Sequence, residues 1–402
     1  MSIVSRRVGV WGAALALGAT PMLAACGSSD SGSGSGADAP KIEAACKLDS
    51  PPTSKAEAPS TSTPIGKASG KVGVILPDTT SSTRYTLYDK PLLEKTLGSA
   101  GIQVDVQNAQ GDVNKFASIA QSMIGSGVKV LMIDSIDAAS GAGVEKEAAA
   151  AGVDVIDYDR VNLGGTAGYY VSYDNEDIGR LQAQTLVDCL DAQDVKDPKI
   201  IMMNGGTDVD NNAVLFSKGA HAVLDPLQKD GKLEIAEEAT VKGWKVENAA
   251  PAFNQALTAA GGNVQGVLAA NDDIANAVIG VLKNQGLDGH VVLTGQDSSV
   301  AGLQNVLKGT QSMTINKKVQ LEADAASRLA VALLSGKNPS QAGLDLTDFD
   351  DPQSPSHKIK AVLLPAQVIT QDSVKDAVKD GGLDVSEVCK GLTKQCSEFG
   401  VS

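Results

Sequence analysis

The chain has 402 residues, a formal net charge of −14 and only 3% aromatic residues. An acidic surface repels phosphate backbones, which argues against nucleic acid as a partner, and the length allows two domains. With so few aromatics, any that stands beside a polar cluster carries weight.

Arg6 and Arg7, followed by an apolar run from Val8 to Ala19, read as an export signal too short to span a bilayer. Leu23-Ala24-Ala25-Cys26 closes that signal as a lipobox. It predicts removal of residues 1–25 and lipid on the thiol of Cys26; an ordinary secretory signal is the alternative. Ser5-Arg6-Arg7 has a twin-arginine flavour, but Gly9 stands where a large apolar residue is wanted, so the export route stays open. Gly27 to Ala39 is mostly Gly, Ser and Asp, and Pro51 to Pro64 is rich in Pro, Ser, Thr and Ala. Residues 26–68 are therefore expected to be a flexible tether. No later segment is apolar enough to span. The expected location is outside the cytoplasm, at the cell membrane and held there by lipid alone.

Four further cysteines suggest disulfides in that compartment. Cys389 and Cys396 close a short loop and are the favoured pair, which leaves Cys46 with Cys189; free, buried thiols are the alternative. His221, His290 and His357 are scattered, and no Cys/His spacing reads as a zinc site. No cofactor is expected.

From Lys71 onward β-rich runs alternate with helical patterns. The predicted strands are Val72–Leu76, Gln103–Gln107, Val128–Ile133, Val153–Tyr158, Ile200–Met203, Leu233–Val241, Val267–Ala270 and Val291–Thr294. Several are apolar throughout, as strands covered on both faces must be. Amphipathic stretches such as Val113–Ile124, Glu176–Leu190, Asn212–Leu224 and Asp273–Asn284 lie between them, with Asp112 and Asp272 as helix caps. Gly101, Gly127, Gly152 and Gly286 sit where helices should stop. The class is α/β with parallel sheets covered on both sides. After Tyr158 the rhythm breaks: Tyr169–Ser172 is a strand with no helix before it, and Tyr173-Asp174-Asn175 opens a new series. Two doubly wound lobes joined by a hinge fit better than one continuous sheet.

Ligands of open parallel sheets bind beyond the carboxyl ends of the strands. There the sequence places Asp78 and Arg84-Tyr85, Asp134-Ser135, Asp159-Arg160, Asp208 to Asn212, Trp244, Asn271-Asp272 and Gln296-Asp297. Each alone reads as a cap, a turn or a surface ion pair. Their recurrence at one end of both lobes favours a binding site. Carboxylates accept from sugar hydroxyls, arginine and amide groups donate to sugar oxygens, and Trp244 and Tyr85 offer flat faces to C–H bonds. A pentose has about ten heavy atoms, so micromolar binding near −8 kcal/mol asks about −0.8 kcal/mol of each. That demands near-complete enclosure, which a closing two-lobed clamp provides.

The matching stretches Tyr158-Asp159-Arg160, Ser172-Tyr173-Asp174-Asn175, Asp210-Asn211-Asn212-Ala213, Gly243-Trp244, Ala270-Asn271-Asp272, Gly295-Gln296-Asp297 and Met313-Thr314-Ile315-Asn316-Lys317 occur in this order. From Lys71 to Leu383 the chain resembles the type I periplasmic sugar-binding proteins of ABC transporters, nearest the D-xylose-binding branch. The resemblance implies that Arg84, Asp159, Arg160, Asn211, Trp244, Asn271, Asp297 and Lys317 hold the sugar, with Tyr85 where the family usually has tryptophan. It also implies a three-crossing hinge near Asp174, Lys317 and Lys337. The lobes would then be residues 69–174 with 318–337, and 175–317 with 338–388, leaving 389–402 as a C-terminal tail. It further implies a permease and an ATPase as partners of a monomeric binding protein. Xylose is the first expectation; glucose, arabinose, ribose and galactose stay open, as does a sensory role through a chemoreceptor or kinase.

A glycosidase using Asp159 and Asp297 is the rival from another class. Cationic neighbours that lower carboxyl pKa values argue against it. Gly164-Gly165 and Gly205-Gly206 lack the context of a phosphate loop, no nucleophile elbow occurs, and Asp208 to Asn212 fails as a calcium loop because Ala213 replaces the required glycine. A gene regulator is excluded by the signal peptide and by the lack of a DNA-binding head.

Overall fold

A computed structural model describes residues 42–59, 64–381 and 383–402. The export signal, Cys26 and the tether as far as residue 41 lie outside the described residues. In chain order the elements are β1 (Lys71–Leu76), α1 (Lys90–Ser99), β2 (Gln103–Asn108), α2 (Val113–Gly125), β3 (Val130–Ile133), α3 (Ala138–Ala150), β4 (Asp154–Tyr158), β5 (Tyr169–Tyr173), α4 (Asn175–Asp191), β6 (Lys199–Asn204), α5 (Asn211–Lys229), β7 (Glu234–Thr240) and α6 (Ala249–Ala259). They continue with β8 (Gly266–Ala269), α7 (Asp272–Asn284), β9 (Val292–Leu293), α8 (Val300–Lys308), β10 (Thr314–Asn316), α9 (Val319–Leu334), β11 (Thr347–Asp350), β12 (Lys358–Leu364), β13 (Gln367–Ile369), α10 (Val374–Gly381), α11 (Val385–Val388) and α12 (Thr393–Glu398).

The apolar runs are buried because helices cover both faces of their sheets. Val130–Ile133, Gly266–Ala269 and nearly all of Lys71–Leu76 are inaccessible to solvent. The first sheet runs β11-β12-β5-β4-β3-β1-β2 and the second β7-β6-β8-β9. Every pair is parallel except β11 with β12. A separate antiparallel pair, β10 with β13, lies where the chain passes between the sheets. The chain crosses after β5, between β10 and α9, and between β12 and β13.

The last crossing differs from expectation. Residues 338–388 were expected in the second lobe, yet β12 pairs with β5 from Lys360↔Tyr169 to Leu364↔Tyr173. Ile359 and Ala361 bury themselves against Tyr170 and Val161, so β12 completes the first sheet. The third crossing therefore falls at Pro365-Ala366 rather than near Lys337. β11 then blunts the open edge with exposed Lys358–Asp350 and Lys360–Asp348 pairs. Residues 389–402 are no loose tail either. Leu392, Cys396 and Val401 pack with Leu303, Val306 and Leu307 of α8, and Cys389 is bonded to Cys396.

The expected tether also needs correction over its described part. Ala44 and Cys46 are buried, Ala44 N donates to Gly289 O at 2.9 Å, and Cys46 is bonded to Cys189 at the end of α4. Farther along, Ser54 Oγ and Lys55 N both donate to Asp177 Oδ2 at 2.9 Å, and Thr53 bridges to Gln367 of β13. Residues 42–55 thus form a strap along the second lobe. By Ala68, which donates to Ala100 O, the chain has joined the first.

Helices α4 and α5 touch backbone to backbone. A Cβ on Gly179 would meet Phe216 O at 1.9 Å and one on Gly219 would meet Glu176 O at 1.8 Å. Those two glycines set the position of α5, whose N-terminus faces the first lobe.

Candidate functional site

The loops after β1, β4, β6, β7, β8 and β9 converge from both sheets on one polar cavity. Of the expected residues it gathers Arg84, Tyr85, Asp159, Arg160, Trp244, Asn271, Asp297 and Lys317. Asn211 is not among them; Asp210 and Asn212 are. Asp210 caps α5, its Oδ1 accepting from Asn212 N at 2.8 Å, which starts the helix at Asn211. Successive helical residues point about 100° apart, so Asn212 turns into the cleft and Asn211 away from it.

The first lobe supplies charge. Arg84 lies in the wide turn before α1 and is almost fully buried. Its Nε donates to Asp89 Oδ2 at 2.9 Å, Nη2 to Asp89 Oδ1 at 2.7 Å and Nη1 to Asp159 Oδ1 at 3.2 Å. Nη2 also meets Glu322 of α9, just past the second crossing. Tyr158 Oη donates to Asp89 Oδ1 at 2.5 Å. Burial pushes the Glu322 carboxyl up, against the pull of Arg84. Burial also disfavours the Asp159 carboxylate, but Arg84, Lys317 and Arg160 together with the Tyr85 hydroxyl outweigh it and hold its pKa below the ordinary value.

Arg160 is positioned from behind by Ser135 O, which accepts from Nη1 at 3.0 Å, while Nη2 donates to Tyr85 Oη at 3.3 Å. Its Nε lies 3.4 Å from Asp210 across the cleft and 3.6 Å from Asp134. Asp134 is wholly buried, and burial raises its pKa well above the carboxylate range. Tyr85 lies beside both guanidinium groups, at 5.8 and 6.0 Å from its ring centroid.

The second lobe supplies amides and an indole. Asn212 Nδ2 donates to Asp159 O at 2.9 Å, while its Oδ1 accepts from Asn175 Nδ2 at 2.9 Å. Asn271 caps α7 by accepting from Ile274 N at 3.0 Å, and its Nδ2 donates to Ser81 O at 3.3 Å. Asn271, not Asp272, is therefore the cap. Asp272 is buried beneath the site, where its Oδ2 accepts from Ser299 N and its Oδ1 from Gln311 Nε2, each at 2.8 Å. Trp244 Nε1 donates to Asp210 Oδ2 at 2.9 Å. Its ring lies on Gly205 and Gly206, where a Cβ would stand 2.0 and 2.7 Å from the indole. These glycines seat the aromatic, which gives a structural reason for a glycine pair that forms no phosphate loop.

Lys317 stands at the second crossing with Nζ 2.9 Å from Asp297 Oδ1, and Ser82 Oγ donates to Asp297 Oδ2 at 3.1 Å. Asp159, Trp244 and Asp297 all have positive φ, at 62°, 58° and 94°. Such backbone costs about 1–3 kcal/mol per residue and persists where surrounding structure holds it. Here it falls on three residues of one cavity.

Sequence reasoning missed Ser81, Ser82 and Phe216 on the cavity wall, and Asp89 and Glu322 behind it. Ser81 and Ser82 follow the first strand and were within reach of the same strand-end rule. Glu322 lies inside a helix, and nothing local marks it.

A family model described as a periplasmic binding protein domain matches residues 72–338. The chain is 36% identical over 301 residues to a D-xylose-binding periplasmic protein of Escherichia coli, covering 75% of this chain and 87% of that one. It is 30% identical to the multiple sugar-binding periplasmic receptor ChvE of Rhizobium radiobacter, covering 78% of this chain and 90% of the receptor. An ABC transporter solute-binding protein from Clostridium phytofermentans, solved with bound β-D-glucose, superposes with a TM-score of 0.71 at 28% identity, over 80% of this chain and all of that one. With two parallel sheets, three crossings and a polar cavity between them, the chain belongs to the type I periplasmic sugar-binding proteins.

Proposed function

We propose that the chain is a lipid-anchored, extracytoplasmic receptor that captures a monosaccharide, D-xylose before others, and delivers it as a monomer to an ABC permease with its ATPase. The observation that carries this reading is the convergence of Arg84, Asp159, Arg160, Trp244, Asn271, Asp297 and Lys317 on one gap between the lobes. In this role Arg84, Arg160 and Lys317 donate to sugar oxygens, Asp159 and Asp297 accept from hydroxyls, Asn271 does either, and Trp244 and Tyr85 cover apolar ring faces. The D-xylose-binding relatives at 36% and 35% identity support the sugar. The glucose-bound neighbour supports a hexose as the second reading.

No catalysis is proposed. A glycosidase needs a carboxyl that holds a proton near neutrality, and Asp159 is held in the opposite direction by three cations. Calorimetry with D-xylose, D-glucose, L-arabinose, D-ribose and D-galactose tests the reading. Micromolar or tighter binding of D-xylose, at least tenfold ahead of the rest, is expected. Heat-silent titrations with all five would overturn the proposal, and preference for another sugar would reassign the ligand.

A further inference from the structure

Arg160 has one donor with two claimants. Its Nη1 donates to Ser135 O at 3.0 Å, and its Nη2 to Tyr85 Oη at 3.3 Å and Ser81 Oγ at 3.4 Å, all on the first lobe. These bonds travel with Arg160 when the lobes move apart. Nε makes no hydrogen bond among the described residues. It stands between Asp134 of its own lobe at 3.6 Å and Asp210 of the opposite lobe at 3.4 Å.

The two carboxylates differ in need. Asp210 is satisfied without Arg160: its Oδ1 accepts from Asn212 N at 2.8 Å and its Oδ2 from Trp244 Nε1 at 2.9 Å. Asp134 is wholly buried at the end of β3, and neither of its oxygens has a hydrogen-bond partner among the described residues. A buried acceptor left unmade is costly, and a charged one more so. Asp134 is not among the residues that line the cavity, so a sugar seated there does not relieve it. Its one ion-pair partner among the described residues is Arg160.

With the lobes together, Arg160 Nε is thus shared with the carboxylate that needs it less. When the second lobe swings out, Asp210 leaves with it and Asp134 becomes the sole claimant. A shift of roughly 0.5–1 Å then brings Nε within hydrogen-bond range of Asp134. The bond gained is charge-assisted, the stronger kind. Parting the lobes is therefore rewarded at Asp134, and bringing them together withdraws the reward.

Building on the sugar-binding reading, we propose that Asp134 is a positioning residue that favours parted lobes: it draws Arg160 from Asp210 as the second lobe leaves, and so hastens release of the sugar. A receptor whose binding-competent form is only a fraction of the population loses apparent affinity by that fraction, so weakening this hold tightens binding. If Asp134 instead steadied Arg160 for the sugar, its removal would weaken binding, so the sign of the effect decides.

Asp134→Asn keeps the shape and removes the charge. By calorimetry it should bind the tightest of the five sugars at least about threefold more strongly than the parent. Stopped-flow fluorescence of Trp244 should place the gain in slower dissociation. Asp134→Ser serves if the first variant melts early. Unchanged or weaker binding overturns the proposal. A second readout needs no sugar. Ser82→Cys with Asp297→Cys puts thiols where a hydroxyl and a carboxylate meet across the cleft at 3.1 Å, so that oxidation traps the lobes together. Trapping should run at least about threefold faster when Asp134→Asn is added, and an equal or slower rate overturns the proposal. If none of the five sugars binds the parent, the sugar-binding reading falls, while the trapping rates still decide this one.

Discussion

The two walls of the cleft are built differently. On the first-lobe side, Arg84, Asp89, Asp159, Tyr158 and Glu322 form a buried, charged network whose members position one another. On the second-lobe side, Asp210 and Asn271 are fixed by capping helices, and Trp244 by a glycine seat. One wall is held by charge pairing and the other by backbone. The first can lose no member without stranding a buried charge, whereas the second can lose a side chain and keep its helices. Between them run single bonds such as Ser82 to Asp297, Asn271 to Ser81 and Asn212 to Asp159 O. These are few enough for the lobes to part, so that a ligand bound to both walls decides how long they stay closed.

The largest expected effect attacks the charged wall. Arg84→Met leaves Asp89, Asp159 and Glu322 facing one another without their cation, and should cost about 3–5 kcal/mol in urea unfolding. A loss under 1 kcal/mol would mean that the network is not what holds this wall. Next comes the strap. Cys46→Ser with Cys189→Ser should cost about 2–4 kcal/mol, read as a lower melting temperature under non-reducing conditions. On the backbone-held wall, Trp244→Ala should weaken monosaccharide binding at least tenfold, about 1.4 kcal/mol, as read by calorimetry below the melting temperature of the variant. Smaller still is the contrast at the start of α5. Asn212→Ala should weaken binding about five- to tenfold, since it strands the groups around Asp159 O at about 1 kcal/mol, while Asn211→Ala stays within about twofold.

The walls should also respond oppositely to pH. Asp159 has a lowered folded pKa, so its stabilisation is present above the unfolded carboxyl pKa and fades as pH falls through the folded value. Asp272, beneath the second wall, is pushed up to about 7, chiefly by burial. Its contribution is complete below the unfolded pKa near 4 and is lost as pH rises towards 7. Asp272→Asn should therefore gain stability relative to the parent between pH 4 and pH 7, as read by parallel melting curves. A constant offset across that range would contradict the assignment.

Much of this was legible in the residues because strand ends announce themselves. Asp159-Arg160, Asn271 and Gln296-Asp297 follow apolar runs, and the position after a buried parallel strand fixes which edge a side chain occupies. The register beyond a cap is harder: Asn211 and Asn212 are identical in type, and only the start of α5 decides which one faces the cleft. Lobe membership of residues 347–364 was not legible, because a strand's local pattern does not say which of two sheets will receive it. The strap was read as loose for its composition, yet the bond to Cys189 and two hydrogen bonds to Asp177 hold it. Glu322 and Asp89 could not be found from spacing, since their role depends on Arg84 reaching them across the fold.

That both walls grip a single sugar is tested most directly by tryptophan fluorescence. With the signal removed, Trp11 is gone and Trp244 is the only indole left; it stands on the second lobe. Titration with D-xylose should shift its emission saturably, and Arg160→Met on the first lobe should abolish the shift while the protein stays folded. An unchanged shift in that variant would show that the second lobe binds alone and would contradict the account.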